Sequence, residues 1–384
     1  MNIAVVGCGI AGTTLAFLSA ERGHRVSLFE QSDVCRPIGA GIMIQSSGQR
    51  VLQRIGMLDE LAATSQRLEG MTAELPNGRT LVKLDFPRLH PEAYALGVHR
   101  GRLFQLLLSR CHRAGVTLYN GFRATEFDSI RGELKSSQGE TRGRFDLLVV
   151  ADGSRSELRK SLGFAAKVTE YSHGALWTTG PCDFKANWLY QRVDGTQRLV
   201  GLLPIGPREC SYFWGLPVAD WPTILQSDFE RWRSRAIEFC PPSASILNPL
   251  RSFADLTFGS YRSVALRVPF RENVVFIGDA SHATSPHLGQ GANLALEDAE
   301  ALASLLFGST SIGNALQMFY HQRARKIRFY RQLTAILSPF FQSHSVWRGC
   351  IRDATLPLMP RLPLVGRQML YTLSGLKEGW FDWS

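Results

Sequence analysis

Long apolar runs are missing from this chain: no stretch reaches the roughly 18 consecutive apolar residues that a membrane-spanning helix needs. The N-terminus enters a strand-like run with no basic segment or small-residue cleavage site before it, so the expectation is neither export nor membrane spanning, with the cytoplasm as the default location. No C-x-x-C pair occurs among the seven cysteines, and none stands at metal-ligand spacing with the nine histidines, so they read as free, mostly packed thiols and no metal is expected. Internal repeats and low-complexity tracts are absent. The net charge of +10 is spread along the chain, except for the dense cluster YHQRARKIRFYRQ at 320–332; without a recognised binding motif it reads as solvated surface, and no nucleic-acid partner is expected. With 384 residues, 45% of them hydrophobic and 20% charged, the chain can bury a large core, expected as two interwoven domains.

Three blocks carry the chemistry. In the first, the strand Ile3 to Val6 enters Gly7-Cys8-Gly9-Ile10-Ala11-Gly12 and a helix follows to about Arg22. Gly7 permits the tight turn, Gly9 lets a pyrophosphate reach the backbone, and Gly12 lets the helix pack on the strand. Glu30 ends the second strand, Val26 to Phe29, where an acidic side chain binds ribose hydroxyls. The second block, DLLVVADGSRSELRK at 146–160, is an apolar strand running into Asp152-Gly153 and ending at Arg159. The third, NVVFIGDASHATSPHLGQGANLALEDA at 273–299, is a buried strand Val274 to Ile277, a turn at Gly278-Asp279, a loop through Pro286 and Gly289-Gln290-Gly291, and a helix Asn293 to Leu306.

Together the blocks resemble the single-component FAD-dependent aromatic hydroxylases, flavin monooxygenases of the p-hydroxybenzoate hydroxylase fold. The resemblance runs from residue 3 to about 300. It implies an α/β fold in which a Rossmann-like FAD-binding domain (1–70, 96–169 and 263–320) is interrupted by an antiparallel-sheet substrate domain (71–95 and 170–262), with a C-terminal helical cover (321–384). It also implies non-covalent FAD, held at Gly7, Gly9, Ile10, Ala11, Gly12, Glu30, Gln31, Arg36, Gly41, Arg100, Ala124, Asp152, Gly278, Asp279, Gly289, Gly291, Ala292 and Asn293. NADPH or NADH would dock transiently, since no second glycine fingerprint is present. The implied reaction forms a flavin C4a-hydroperoxide and transfers one oxygen atom from O2 to an electron-rich aromatic or polycyclic molecule. Pro286 and His287 fall at the reacting edge. His287 replaces the apolar residue usual before Leu-Gly-Gln-Gly and reads as a tolerated polar side chain in preference to a proton relay. A reductase or epoxidase of the same fold, or a carrier keeping only the dinucleotide fold, are the alternatives.

Between the blocks, Gly48 to Leu61 has helical periodicity through Val51, Leu52, Ile55 and Leu58, and Gly70 to Pro91 reads as a hairpin turning at Pro76-Asn77-Gly78. Arg102 reads as a helix-start arginine beside Arg100. From Ser172 to Val268 strand-like runs alternate with Gly and Pro and hold five of the eight tryptophans. This is expected to be an antiparallel sheet lining an aromatic pocket, with Trp177, Tyr190, Arg192, Tyr212 and Trp214 as substrate candidates and His173 as a further one. No catalytic base is nameable from the sequence. Beyond Ala315 the chain reads as helical, then irregular around Pro339, Pro357, Pro360 and Pro363, a segment suited to covering the FAD domain or to weak membrane contact.

Overall fold

The computed structural model describes residues 1–35, 40–182 and 187–382. The first block is β1 (Asn2–Val6), α1 (Ile10–Glu21) and β2 (Arg25–Phe29). All of α1 from Ile10 to Ser19 is buried, because two other helices flank it on the sheet's face. The chain then forms β3 (Gly41–Ile44), α2 (Ser46–Arg54), α3 (Leu58–Ala62), β4 (Gln66–Leu68), the hairpin β5 (Gly70–Glu74) and β6 (Thr80–Asp85), β7 (Ala95–His99) and α4 (Arg100–Arg113). The hairpin is as expected, with Gly78 at φ +79°. The single helix expected over 48–61 is instead α2 and α3, separated where Gly56 takes φ +65°, a left-handed conformation that ends a helix.

Next come β8 (Thr117–Tyr119), β9 (Ala124–Asp128), β10 (Glu133–Ser136), β11 (Thr141–Arg142), β12 (Leu147–Val150) and α5 (Leu158–Ser161). Four long strands follow, β13 (Ala166–Pro181), β14 (Trp188–Asp194), β15 (Arg198–Gly206) and β16 (Glu209–Pro217), then α6 (Trp221–Leu225), α7 (Phe229–Phe239), α8 (Ala244–Leu247) and β17 (Thr257–Leu266). The third block is β18 (Phe270–Arg271), β19 (Val274–Phe276), α9 (Asp279–His282) and α10 (Gly291–Gly308). The chain ends in α11 (Ile312–Phe341), α12 (Val346–Thr355) and α13 (Pro363–Leu373). The C-terminal segment is thus helical where irregularity was expected: Pro363 sits in the first turn of α13, the one helical position that loses nothing to proline's missing N–H.

Two large sheets organise the chain. The first has strand order β18-β19-β12-β1-β2-β8, parallel from β19 to β8, with α1, α4 and α10 filling the core on one face. Its order brings all three blocks to one end: β1, β12 and β19 are neighbours, so Gly7, Asp152 and Gly278 emerge side by side. The second sheet, β17-β13-β16-β15-β14-β5-β6, is antiparallel except that β14 pairs in parallel with β5, which corrects the fully antiparallel expectation. A small sheet β3-β7-β4 lies between them. α11 runs unbroken through position 320. Among the described residues no helix is long and apolar enough to cross a membrane.

Candidate active site

At the mouth of the parallel sheet the glycines have distinct jobs. Gly7 has φ +105°, and a Cβ there would meet the Ala151 carbonyl oxygen at 2.4 Å. At Gly12 a Cβ would stand 2.0 Å from the Gly7 carbonyl oxygen, so α1 approaches the loop more closely than any side chain allows. Gly9 has nothing within 4 Å of a built Cβ. It is the N-cap of α1, with no side-chain cap, so the first amides of α1 face open space, as anion binding at a helix start requires. The side chains of Ile10 and Ala11 go into the core, leaving only their amides for a ligand. Glu30 accepts from Cys8 N at 3.1 Å and Ser32 N at 3.0 Å, which fixes its carboxylate at the loop, and Gln31 is exposed beside it.

Asp152 is the clearest sign that something polar belongs here. Its Oδ1 is buried without a partner, and desolvation pushes its carboxyl up to about 6. Arg159, buried, donates to Ala280 O at 2.9 Å and Ser154 O at 2.9 Å, tying the second block to the third. Gly278, at φ +57°, would bring a Cβ within 3.0 Å of the Ala11 Cβ, and its amide donates to Asp298 Oδ2 at 3.0 Å. Burial would raise Asp298, but the charges of His282 and Arg323 outweigh it and hold the carboxyl at about 2. Asp279 begins α9, and a Cβ at Gly291 would lie 4.0 Å from its Oδ1. The open space at Gly9, the orphan oxygen of Asp152 and the placement of Asp279 fit a dinucleotide such as FAD.

Several expected cofactor contacts do something else. Asn293 is fully buried, and its side chain is consumed by the protein: Oδ1 accepts from Gln45 N at 2.9 Å, and Nδ2 donates to Met43 O at 3.2 Å, Gln45 Oε1 at 2.9 Å and Gly289 O at 3.1 Å. Gln290, also buried, donates to Gln45 Oε1 and to Leu373 O. This clamp of Gln45, Gln290 and Asn293 fastens the end of β3 and α13 to the 285–291 loop. Nothing in the sequence near Gln45 announces it. Gly41 turns its bare side to the second sheet, where a Cβ would strike Ile205, Ser211 and Leu203 at 2.6 to 3.0 Å. Ala124 is buried in the core beneath the parallel sheet, so only its main chain is free for a ligand. A Cβ on Gly289, at φ +63°, would stand 3.5 Å from Gln45 Nε2, and Ala292 packs on the core. Arg100 opens α4 with an exposed guanidinium that makes no hydrogen bond or ion pair among the described residues. Arg102 instead donates to Thr64 O at 2.9 Å and Ile205 O at 3.1 Å and pairs with Glu209, bolting α4 to the second sheet. Arg36 lies outside the described residues.

The substrate candidates on the second sheet are divided by strand parity, since alternate residues face opposite sides. Tyr212 is fully buried with Val200, Leu202, Ala236 and Cys240 under α7 and α8. Trp214 packs on Trp232 and Phe239, Tyr190 donates to Glu74 at 3.0 Å, and Arg192 donates to Pro76 O at 2.6 Å and lies over Phe239. All four look away from the flavin-binding domain, so the expectation that they line the pocket is wrong. The opposite face carries Gln191, Gly201, Ser211, Phe213 and Gly215, and with them Trp177, which pairs with Phe213. Here two aromatic rings lie across glycines: a Cβ at Gly201 would fall 2.0 Å from the Phe213 ring, and one at Gly259 would fall 2.2 Å from Trp177. Of the named candidates, Trp177 and His173 are on this inner face. Phe213, the neighbour of Trp177, is one of the sheet's aromatics that was not singled out as a substrate candidate.

The family model described as FAD binding domain matches residues 1–327. The chain belongs to that family. It is 28% identical over 94% of each chain to the 2-heptyl-3-hydroxy-4(1H)-quinolone synthase of Pseudomonas aeruginosa. It is 27% identical, over 85% of this chain and 88% of the relative, to the 6-hydroxynicotinate 3-monooxygenase of Bordetella bronchiseptica. In fold it matches Klebsiella pneumoniae HpxO, solved with FAD and uric acid, with a TM-score of 0.83 at 22% identity over 98% of this chain and 97% of that one. FAD as cofactor and the interrupted flavin-monooxygenase architecture are thereby established for this family member.

Within this flavoprotein the two residues placed at the reacting edge part company. Pro286 is exposed in the short turn that leads to Gly289. His287 points inward: Nδ1 lies 2.8 Å from Ser285 Oγ and 3.2 Å from Ser338 Oγ, and desolvation with the nearby His173 depresses the imidazole to about 4. Its side chain is therefore wired into the protein, contrary to the reading of a merely tolerated polar residue.

Proposed function

We propose that the protein is an FAD-dependent, NAD(P)H-driven monooxygenase that inserts one oxygen atom from O2 into an aromatic or heteroaromatic small molecule. The observation that carries this reading is the inner sheet face, where the rings of Phe213 and Trp177 lie across Gly201 and Gly259 and form an aromatic surface. Bound FAD would supply the reduction and oxygen-activation chemistry. The chain's own residues bind and orient: the amides after Gly9 take the pyrophosphate, Glu30 the ribose, Asp279 the ribityl chain, and Asp152 and Arg100 further polar groups. The Gln45–Gln290–Asn293 clamp holds the loop that keeps water from the reacting edge. With one glycine fingerprint, the nicotinamide donor docks transiently.

This reading divides the chain into an FAD-binding domain (1–70, 96–169 and 263–320), a substrate domain (71–95 and 170–262) and a helical C-terminal cover, working in the cytoplasm. Val346, Trp347, Ile351, Leu358, Leu362 and Leu364 are exposed on that cover, which supports weak peripheral membrane contact there. The test follows NAD(P)H oxidation and peroxide release across a panel of phenols, pyridones, quinolones and indoles. A substrate accelerates oxidation, suppresses peroxide and acquires 18O from labelled O2. Label arriving from water, or turnover without oxygen, replaces the monooxygenase with a reductase or dehydrogenase.

A further inference from the structure

The fold divides the basic cluster at 320–332 between two tasks. Arg323 and Lys326 are buried and paired: Arg323 with Asp298 at 2.9 Å and Glu297 at 2.9 Å, Lys326 with Glu297 at 2.6 Å and Glu378 at 3.0 Å. Arg328 and Arg331 go elsewhere. With Tyr320 and Ile327 they recur at helical spacing along one side of α11, and that side walls a cleft of about 290 Å3. The opposite wall is the end of the second sheet, where Lys167 on β13 pairs with Ala265 on β17 and Arg267 follows. The cleft reaches α9 at Ser281 and His282 and touches none of the residues assigned to FAD.

Two cations thus come to the cleft from each wall. None of Lys167, Arg267, Arg328 and Arg331 makes a side-chain hydrogen bond or ion pair among the described residues. The one carboxylate among the described lining residues, Asp298, is spent on His282, Arg323 and the Gly278 amide. Arg331 is half-buried, and burial, followed by the charge of Arg328, disfavours its charged form.

Like charges gathered in a concave site without a counter-ion repel one another and draw in an anion. Guanidinium forks match the oxygens of phosphate in pairs, and an ammonium adds a point charge. Pro269, Tyr320 and Ile327, all half-buried on the same lining, offer apolar surface beside the cations. Nucleic acid would instead call for cations spread along a track that follows the phosphate backbone.

We propose that this cleft binds a small phosphate-bearing molecule, its phosphate held between Lys167 and Arg267 on one wall and Arg328 and Arg331 on the other, its apolar body against Tyr320 and Ile327. The site is separate from the flavin's and stands whether or not the protein is an oxygenase. A free phosphorylated metabolite and the phosphates of the nicotinamide donor offer the same chemistry, and the experiment separates them.

Inorganic pyrophosphate and adenosine monophosphate are titrated calorimetrically into the FAD-loaded protein at fixed ionic strength, since salt screens diffuse attraction to a basic surface. The wild type should bind one equivalent saturably. Arg331→Gln and Lys167→Gln, one from each wall, should each weaken binding about tenfold, as the loss of one charge-assisted hydrogen bond does. Arg325→Gln removes the same charge from α11 outside the cleft and should leave the affinity as it was. A KM for NADPH that pyrophosphate raises in the wild type and not in Arg331→Gln supports the site with the donor's phosphates in it. An unmoved KM with intact pyrophosphate binding supports it with a free metabolite. No saturable binding in the wild type, equal weakening by Arg325→Gln, or tighter binding of a mixed-sequence oligonucleotide overturns the inference.

Discussion

Tyr212 and Phe213 are consecutive in β16 and face opposite sides of the sheet: Tyr212 is sealed beneath α7 and α8, and Phe213 lies across Gly201 toward the flavin-binding domain. Phe213→Ala should therefore raise KM and peroxide leakage severalfold while the flavin stays bound. Tyr212→Phe should leave kinetics unchanged, because its hydroxyl has no partner, whereas Tyr212→Ala should cost about 3–5 kcal/mol of stability through the cavity it opens. Steady-state kinetics with a peroxide assay, alongside denaturant melts, separate the three outcomes.

The glycines of the first block should fail in different ways. Gly9→Val puts side-chain atoms where nothing now stands within 4 Å of a built Cβ, so it should give a folded, colourless protein that no longer takes up FAD. Gly12→Ala places its methyl 2.0 Å from the Gly7 carbonyl, so it should lower the melting temperature of the apoprotein itself. Circular dichroism melts and flavin absorbance after reconstitution tell the two apart.

Asn293→Ala leaves the Gln45 amide and the carbonyls of Met43 and Gly289 without their partner. Each buried group so stranded costs about 1–3 kcal/mol. Weaker FAD retention should follow, read as faster loss of flavin on gel filtration and a higher Kd in fluorescence titration, though Asn293 itself need not touch the cofactor.

His173 supplies a pH signature. Burial, with His344 beside it, holds its imidazole down at about 4, against a smaller opposing pull from Asp220. The unfolded chain binds this proton near pH 6.5. Between those values the unfolded state carries more protons, so the contribution is complete above pH 6.5 and is lost as pH falls toward 4. His173→Gln should flatten the wild-type decline in melting temperature over that window, and an unchanged slope would count against it.

Asp298→Asn removes the charge shared by His282 at 2.5 Å and Arg323 at 2.9 Å. All three side chains are buried, so breaking the group should destabilise the protein by about 3–5 kcal/mol, seen as a lower denaturation midpoint.

Local signals in the sequence were enough for the parallel sheet, the glycine cradle and the cofactor. A strand, a glycine turn, a helix and an acid are set by backbone sterics within about 30 residues, and Gly7 and Gly12 stand where no side chain fits while Gly9 opens onto free space. Local periodicity also gave the hairpin at 70–85 and the strands of the second sheet. The face each of those strand residues would occupy was not legible. Alternation marks two sides without saying which is inward when both are apolar: Tyr212 is buried under helices and Phe213 under the other domain. The same limit hid the clamp that joins Gln45 to Gln290 and Asn293, about 245 residues further along the chain, and turned His287 from an oddity of one loop into a side chain held by two serines. That last change needed Ser338, which only the return of α11 across the 285–290 loop brings within reach.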